Sequence, residues 1–125
     1  MIDHISIYVH DLDLAKTFYT ACLKPLGYEL TADYSEYGVA GFEQNGKKDF
    51  WIGKKETAHN THIAFVASSK DMVDAFHATA IAAGAADNGK PGYRKDYAPG
   101  YYGAFATDPF GNNVEAVFHD PSPTA

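Results

Sequence analysis

The chain reads as an α+β fold built from two copies of one strand–helix–strand pattern, and three observations predict it. The first is an internal repeat. With His4 laid over His62, a shift of 58 residues, His4-Ile5-Ser6-Ile7-Tyr8-Val9 falls on His62-Ile63-Ala64-Phe65-Val66-Ala67. Without a gap, Asp13, Leu14 and Phe18 then fall on Asp71, Met72 and Phe76. The second is a pair of apolar runs at helical spacing, Leu12, Ala15, Phe18, Tyr19, Cys22, Leu23, Leu26 and Met72, Val73, Phe76, Ala80, Ala83. Each follows an N-cap residue type, Asp11 or Ser69, and each stops at a glycine, Gly27 or Gly84. The third is a set of strand-like segments after each helix.

After the first helix these segments are 28–32, 37–42 and 49–52, with Asn45-Gly46 as the turn between the last two. After the second helix the Gly-, Pro- and charge-rich stretch 86–100 reads as a long loop, a candidate lid because it exceeds ordinary connection lengths. Segments 101–106 and 113–118 then read as a hairpin around Asp108-Pro109-Phe110-Gly111, and 120–125 reads as a frayed tail.

Composition bounds the function. At 125 residues the chain is long enough for one domain with a core of its own. Nine Tyr, 8 Phe and 1 Trp argue against disorder. A net charge of −6, with no basic cluster beyond Lys47-Lys48, Lys54-Lys55 and Arg94-Lys95, argues against nucleic acid as a partner. No signal-peptide pattern opens the chain and no run of 18 apolar residues exists, so a cytoplasmic protein without a membrane partner is expected. The single cysteine, Cys22, falls on the core face of the first helix and reads as a packing thiol.

Alternation along the strands sorts the candidate site. Ile5, Ile7 and Val9 share one face of the first strand, and His4, Ser6 and Tyr8 share the other. Ile63 and Phe65 match the first set, so His4 and His62 project from equivalent places on the open face. In the last strand Glu115 stands on the face opposite Val114, Ala116 and Phe118. A carboxylate there is costly to bury unless something positive meets it, and the strands read as its neighbours offer no Lys or Arg. Two neutral His and one carboxylate suit a divalent first-row metal, although either His alone also reads as a hydrogen-bonded structural residue and Glu115 alone as an exposed strand residue. Ser6, Tyr8, Val117 and Trp51 or Phe50 are expected to line the same hollow. Of Tyr101 and Tyr102 one must face inward, as a proton donor or as packing, and Tyr102 is the slightly favoured choice. In the 86–100 loop, Arg94 and Tyr97 are candidates for holding substrate, Arg94 by clamping an anion. His59 and His77 read as surface residues, His10 as exposed and His119 as reaching the rim at best, and none of the four receives a role.

Asp3-His4-Ile5-Ser6-Ile7-Tyr8-Val9, Phe18-Tyr19, His62-Ile63-Ala64-Phe65 and, above all, Asp108-Pro109-Phe110-Gly111-Asn112-Asn113-Val114-Glu115 resemble the vicinal oxygen chelate superfamily of glyoxalases, bleomycin-resistance proteins and extradiol dioxygenases. The resemblance covers residues 1–119. It implies two βαβββ modules, about 1–56 and 57–119, whose mixed sheets form a cup with helices on the outer face. It further implies a divalent metal (Fe, Mn, Ni, Co or Zn) held by His4, His62 and Glu115, and a homodimer, in some relatives with modules exchanged. Laying Gly46 over Gly111 puts Phe50 opposite Glu115, so a fourth ligand is missing and the four-ligand glyoxalase I pattern is weakened. The implied activity is metal-dependent chemistry (lyase, isomerase, dioxygenase or thiol transferase) on a small molecule chelated through neighbouring oxygens. The alternatives are a metal-free protein that binds and sequesters a small, antibiotic-type compound, and a degenerate member with a structural role.

Overall fold

The computed structural model describes residues 2–57 and 59–123. In chain order the elements are β1 (Ile5–Val9), α1 (Leu12–Leu23), β2 (Glu29–Tyr34), β3 (Val39–Gln44), β4 (Lys47–Lys54), β5 (His62–Val66), α2 (Lys70–Ala82), β6 (Ala86–Tyr93), β7 (Tyr101–Thr107) and β8 (Asn113–His119). The Asp11 carboxylate accepts the Leu14 N–H at 3.1 Å and starts α1; the Ser69 hydroxyl accepts the Met72 N–H at 3.2 Å and starts α2.

The two halves repeat in topology as well as in sequence. One four-stranded sheet runs β1-β4-β3-β2 and the other β5-β8-β7-β6. In each, the first strand pairs in parallel with the last: Ser6 lies opposite Trp51, and Ala64 opposite Glu115. The remaining pairs are antiparallel. This is the βαβββ module twice over. Strands β1 and β5 each end their sheet, so each has one edge without a strand partner among the described residues.

Side chains on the helix-covered faces form a single apolar core. It runs from Ile7, Phe42, Phe50 and Ile52 of the first sheet, through Phe18, Cys22 and Phe76 of the helices, to Phe65, Val114 and Ala116 of the second. The modules meet through rings, with Phe65 edge-on to Phe50 at 5.1 Å and to Tyr28 at 5.6 Å. Cys22 lies fully inside this core, and burial pushes its thiol far above the ordinary range, as befits packing rather than reactivity.

A second tie is polar. Asp108 and Asn112, in the β7–β8 turn, are each only 3% exposed. Asp108 Oδ1 accepts the backbone N–H groups of Phe110 and Asn112, at 2.9 and 2.7 Å. Its Oδ2 accepts the Asn112 side-chain N–H at 2.8 Å and the Tyr19 hydroxyl at 2.5 Å. The Asn112 carbonyl in turn accepts the Thr61 N–H at 2.9 Å. A carboxylate out of water needs such donors, and here they come from the turn and from the first module's helix.

Three expectations are corrected. Segment 86–100 is not one long loop, because 86–93 is strand β6, paired with β7 with register shifts around Gly89 and before Gly92. Glycines and Pro91 erased the alternation that marks a strand, yet an edge strand tolerates them. The loop that remains is 94–100, closed by Arg94 N–H to Tyr101 O at 2.7 Å. The segment 120–122 is held rather than frayed, since the Tyr93 hydroxyl donates to Asp120 Oδ2 at 2.6 Å and Asp120 N–H to Gly100 O at 2.8 Å; Thr124 and Ala125 lie outside the described residues. His77 is buried against β6, with Nε2 3.0 Å from Asp87 Oδ1, rather than on the surface.

Removing the Tyr19 hydroxyl leaves one acceptor site of a buried carboxylate unmet. Tyr19→Phe is expected to lower unfolding stability by about 1–3 kcal/mol, the usual cost of an orphaned buried hydrogen-bonding group. Denaturant unfolding of the variant checks this, and a loss below about 0.5 kcal/mol would contradict the tie between the modules.

Candidate functional site

Parallel pairing of β5 with β8 sets the centre of the site. With Ala64 opposite Glu115, His62 stands one pleat away on the same open face, and its Nε2 lies 2.8 Å from Glu115 Oε1. Glu115 is 1% exposed, whereas the His62 side chain is 54% exposed, so the carboxylate forms the floor and the imidazole the lip. Antiparallel pairing of β7 with β8 places Phe105 opposite Glu115 and Tyr101 opposite His119. The Tyr101 hydroxyl donates to Glu115 Oε2. Burial, reinforced by that hydrogen bond, pushes the Tyr101 phenol up to about 12, so at neutral pH it is a proton donor and not a base.

Around these groups is a cavity of about 380 Å³ whose wall is completed by Asn88, Gly89, Arg94, Tyr97 and Asn113. The structure therefore brings His62, Glu115, Tyr101, Arg94 and Tyr97 together. Asn88, Phe105 and Asn113 were not singled out from the sequence, although hairpin register counted back from the turn would have put Phe105 opposite Glu115.

Tyr102 belongs elsewhere, which reverses the preference for it as the inward phenol. Residues of β7 on the Glu115 face are 101, 103 and 105, and Tyr102 points to the helix layer, where its hydroxyl donates to Asp74 Oδ1 of α2 at 2.7 Å.

The other sequence-predicted residues lie on the first sheet. His4 precedes β1; its side chain is 56% exposed and its Nδ1 is 2.8 Å from Asp3 Oδ1. His4 and His62 both line a cleft of about 520 Å³ between the modules. Among the described residues of one chain, no group of three His, Cys, Asp or Glu is placed to hold a metal ion. His4 thus does not join His62 and Glu115 in a three-residue cluster within the chain.

Ser6, Tyr8 and Trp51 share the open face of the first sheet. A Cβ at Gly53 would stand 2.9 Å from the edge of the Tyr8 ring, and one at Gly41 would stand 2.6 Å from the Trp51 ring, so both rings occupy space that only bare backbone leaves. Phe50, by contrast, is buried in the core at 1% exposure. Since Ser6 faces Trp51 as its repeat-mate Ala64 faces Glu115, the position equivalent to Glu115 is Trp51 and not Phe50. Neither ring can ligate a metal.

In chemistry the His62–Glu115 pair suits a divalent cation: an imidazole nitrogen and a buried carboxylate oxygen side by side, with no Lys or Arg in ion-pair contact with Glu115 among the described residues. Two such donors are brought together in one chain.

A two-module βαβββ chain with an open-face His–carboxylate pair defines the glyoxalase-type class of fold. The family model for the Glyoxalase/Bleomycin resistance protein/Dioxygenase superfamily matches residues 1–116, and the chain belongs to that superfamily. Among solved structures it is similar to a glyoxalase/bleomycin resistance protein from Albidiferax ferrireducens T118, with 29% identity over 93% of this chain and 96% of that one, at a TM-score of 0.79. A glyoxalase/bleomycin resistance protein/dioxygenase family enzyme from Burkholderia phytofirmans PsJN shares 21% identity, covering 94% and 98%, with a TM-score of 0.71. Lactoylglutathione lyase from Agrobacterium tumefaciens shares 20%, covering 94% and 92%, with a TM-score of 0.69; the last two show likeness of fold. None of the curated proteins matches the chain by sequence.

The reassignment of Tyr102 has a pH signature. Burial and then its hydrogen bond to Asp74 push the Tyr102 phenol up to about 12 in the folded protein, against an ordinary value of 10.0. The folded state therefore holds this proton more tightly than the unfolded state. The contribution to stability is complete below pH 10 and is lost as pH rises from 10 towards 12. Urea unfolding between pH 9 and 11 is expected to show a decline in stability that is shallower in Tyr102→Phe; equal slopes would remove Tyr102 from the helix–sheet contact.

Proposed function

We propose that the protein is a divalent-metal-dependent enzyme acting on a small molecule with neighbouring oxygen atoms, with His62 and Glu115 as ligands from one chain and His4 of a second copy as the third. The observation that carries this reading is the His62–Glu115 pair, a buried carboxylate on the cavity floor with an imidazole at its lip and, among the described residues, no Lys or Arg in ion-pair contact with it. Support for the second copy comes from the sheet edges. Strands β1 and β5 each have an unpaired edge, and Ile5, Tyr8 and Val66 on them are exposed, Val66 at 73%. Apolar side chains on a free strand edge are what a strand partner covers. A homodimer joined along these edges also supplies the imidazole that the chain's own fold keeps apart.

A bound divalent ion supplies Lewis acidity to two adjacent substrate oxygens. The chain's own residues do the rest. Glu115 is oriented by Tyr101, whose hydroxyl holds Oε2 and leaves Oε1 towards His62. The Tyr101 phenol keeps its proton at neutral pH and commits it to Oε2, so it holds the carboxylate in place and does not act as a base. Phe105 lines the cavity beside Glu115 with an apolar surface, which strengthens the charge interactions next to it. No helix among the described residues is long and apolar enough to cross a membrane.

One observation favours a second reading, a metal-free binding protein. Both oxygens of Glu115 already have protein partners, and among the described residues no buried side-chain nitrogen or oxygen lacks one. The site is satisfied without an ion.

Metal titration of chelator-stripped protein separates the two. One tight divalent ion per chain is expected for the wild type, lost in His62→Ala and Glu115→Ala and weakened at least tenfold in His4→Ala. Mixing and refolding His4→Ala with Glu115→Ala is expected to restore tight binding to the mixed dimer, because one of its two sites then has all three ligands. No specific ion on the wild type would leave the binding-protein reading; no rescue in the mixture would refute the shared site.

A further inference from the structure

We propose that Arg94 is the anion-recognition group of this cavity, so that the molecule bound over His62 and Glu115 carries a carboxylate or phosphate. The inference rests on the same cavity as the function proposed above, but not on a metal.

Arg94 is the only arginine in a chain of net charge −6 that contains 16 acidic residues. Among the described residues it forms no ion pair with any of them, although shorter-reaching Lys16, Lys47 and Lys48 all do. Its head is instead fixed to backbone. Nη1–H donates to Gly92 O at 2.9 Å and Nη2–H to Lys90 O at 2.7 Å. The guanidinium lies over Phe105, 5.5 Å from the ring centre, on the same wall as Glu115.

The strand beneath is shaped for it. Gly89 takes φ +151, which side-chain-bearing residues rarely adopt, and a Cβ there would stand 3.0 Å from the Phe105 ring and 3.2 Å from Nη2. A Cβ at Gly92 would stand 3.2 Å from Nη1. Two glycines therefore leave room for the planar head, and the register shifts of β6 occur at those glycines. Among the described residues two of the five guanidinium N–H donors are engaged in holding the group still, and the others remain to meet a ligand.

A positive group already immobilised loses little entropy when a ligand arrives, and a planar fork matches two oxygens of one carboxylate or phosphate. The cavity wall beside it carries Asn88, Asn113 and Tyr97, all polar or amphipathic. An oxyanion held at Arg94 would leave the rest of the molecule to reach across Phe105 towards Glu115 and His62. This places the charged group of the substrate away from its reacting oxygens.

The test uses 15N-labelled, chelator-stripped full-length protein, with benzoate and inorganic phosphate as probes and benzamide as the neutral control. A single arginine gives a single Nε–Hε signal to follow. Saturable movement of that signal is expected with benzoate or phosphate, and whichever binds more tightly separates a carboxylate from a phosphate. Affinity is expected to fall at least tenfold in Arg94→Gln and less in Arg94→Lys, which keeps the charge but loses the fork. Gly89→Val, which crowds the guanidinium without touching its charge, is expected to weaken binding too. Equal affinity in the wild type and Arg94→Gln, or benzamide binding as well as benzoate, would overturn the proposal. Because no metal is present, anion binding without any metal site would refute only the metal-dependent reading, and a metal site without anion binding would refute only this one.

Discussion

Everything at the site depends on one buried carboxylate that is not part of it. Asp108 gathers four donors: two backbone N–H groups of its own turn, the Asn112 amide and the Tyr19 hydroxyl from the other module. Through Asn112 the same knot reaches Thr61, the residue before His62. It therefore sets where β5 begins relative to β8, and a parallel pair has no turn of its own to fix that offset. A slip of one residue would turn Glu115 into the core and bring an apolar side chain to the cavity floor. The local chemistry of a turn thus decides which atoms meet His62.

The two modules show one backbone plan put to different uses. At matching places the first sheet has Ser6, Tyr8 and Trp51 where the second has Ala64, Val66 and Glu115. Rings lie on glycine in the first, over Gly53 and Gly41, whereas in the second Gly103 lies opposite Val117 and the Tyr101 ring stands close by. One open face is thereby aromatic and apolar, and the other holds a titratable pair. Burial of Glu115 is tolerated because His62 and Tyr101 meet both of its oxygens.

How much of this could be read from the sequence follows from which forces are local. The repeat, both helices with their caps at Asp11 and Ser69, and the facing of Ile63, Phe65 and Glu115 were legible, because periodicity and capping act within a few residues. Strand β6 was not, because Gly89, Pro91 and Gly92 break its alternation and only pairing with β7 makes it a strand. The exchange of Phe50 for Trp51 has a geometrical source. The β3–β4 turn has two residues between its closing pair, Gln44 and Lys47, and the β7–β8 turn has five between Thr107 and Asn113. Neither turn fixes the match: aligning the turn glycines sets an offset of 65, whereas the parallel registers Ser6–Trp51 and Ala64–Glu115 set 64, and a period of two converts that difference of one into the wrong face. His4 was legible as a residue on the open face of the first module. Its separation from Glu115 was not, because that depends on how two modules pack through Phe50, Phe65 and Tyr28.

The aromatic first sheet has an optical consequence. Trp51 is the only tryptophan of the chain, it is half-buried, and it occupies the place that corresponds to Glu115 in the other module. Its ring is fixed on Gly41, and its indole N–H donates to Lys48 O at 3.2 Å. Light absorbed by tryptophan alone therefore interrogates one defined patch, on the module that carries His4 and not on the one that carries Glu115. Whatever comes to cover that patch alters the polarity around a single fluorophore, so the molecule carries its own label for the half of the hollow that its acidic residue does not occupy.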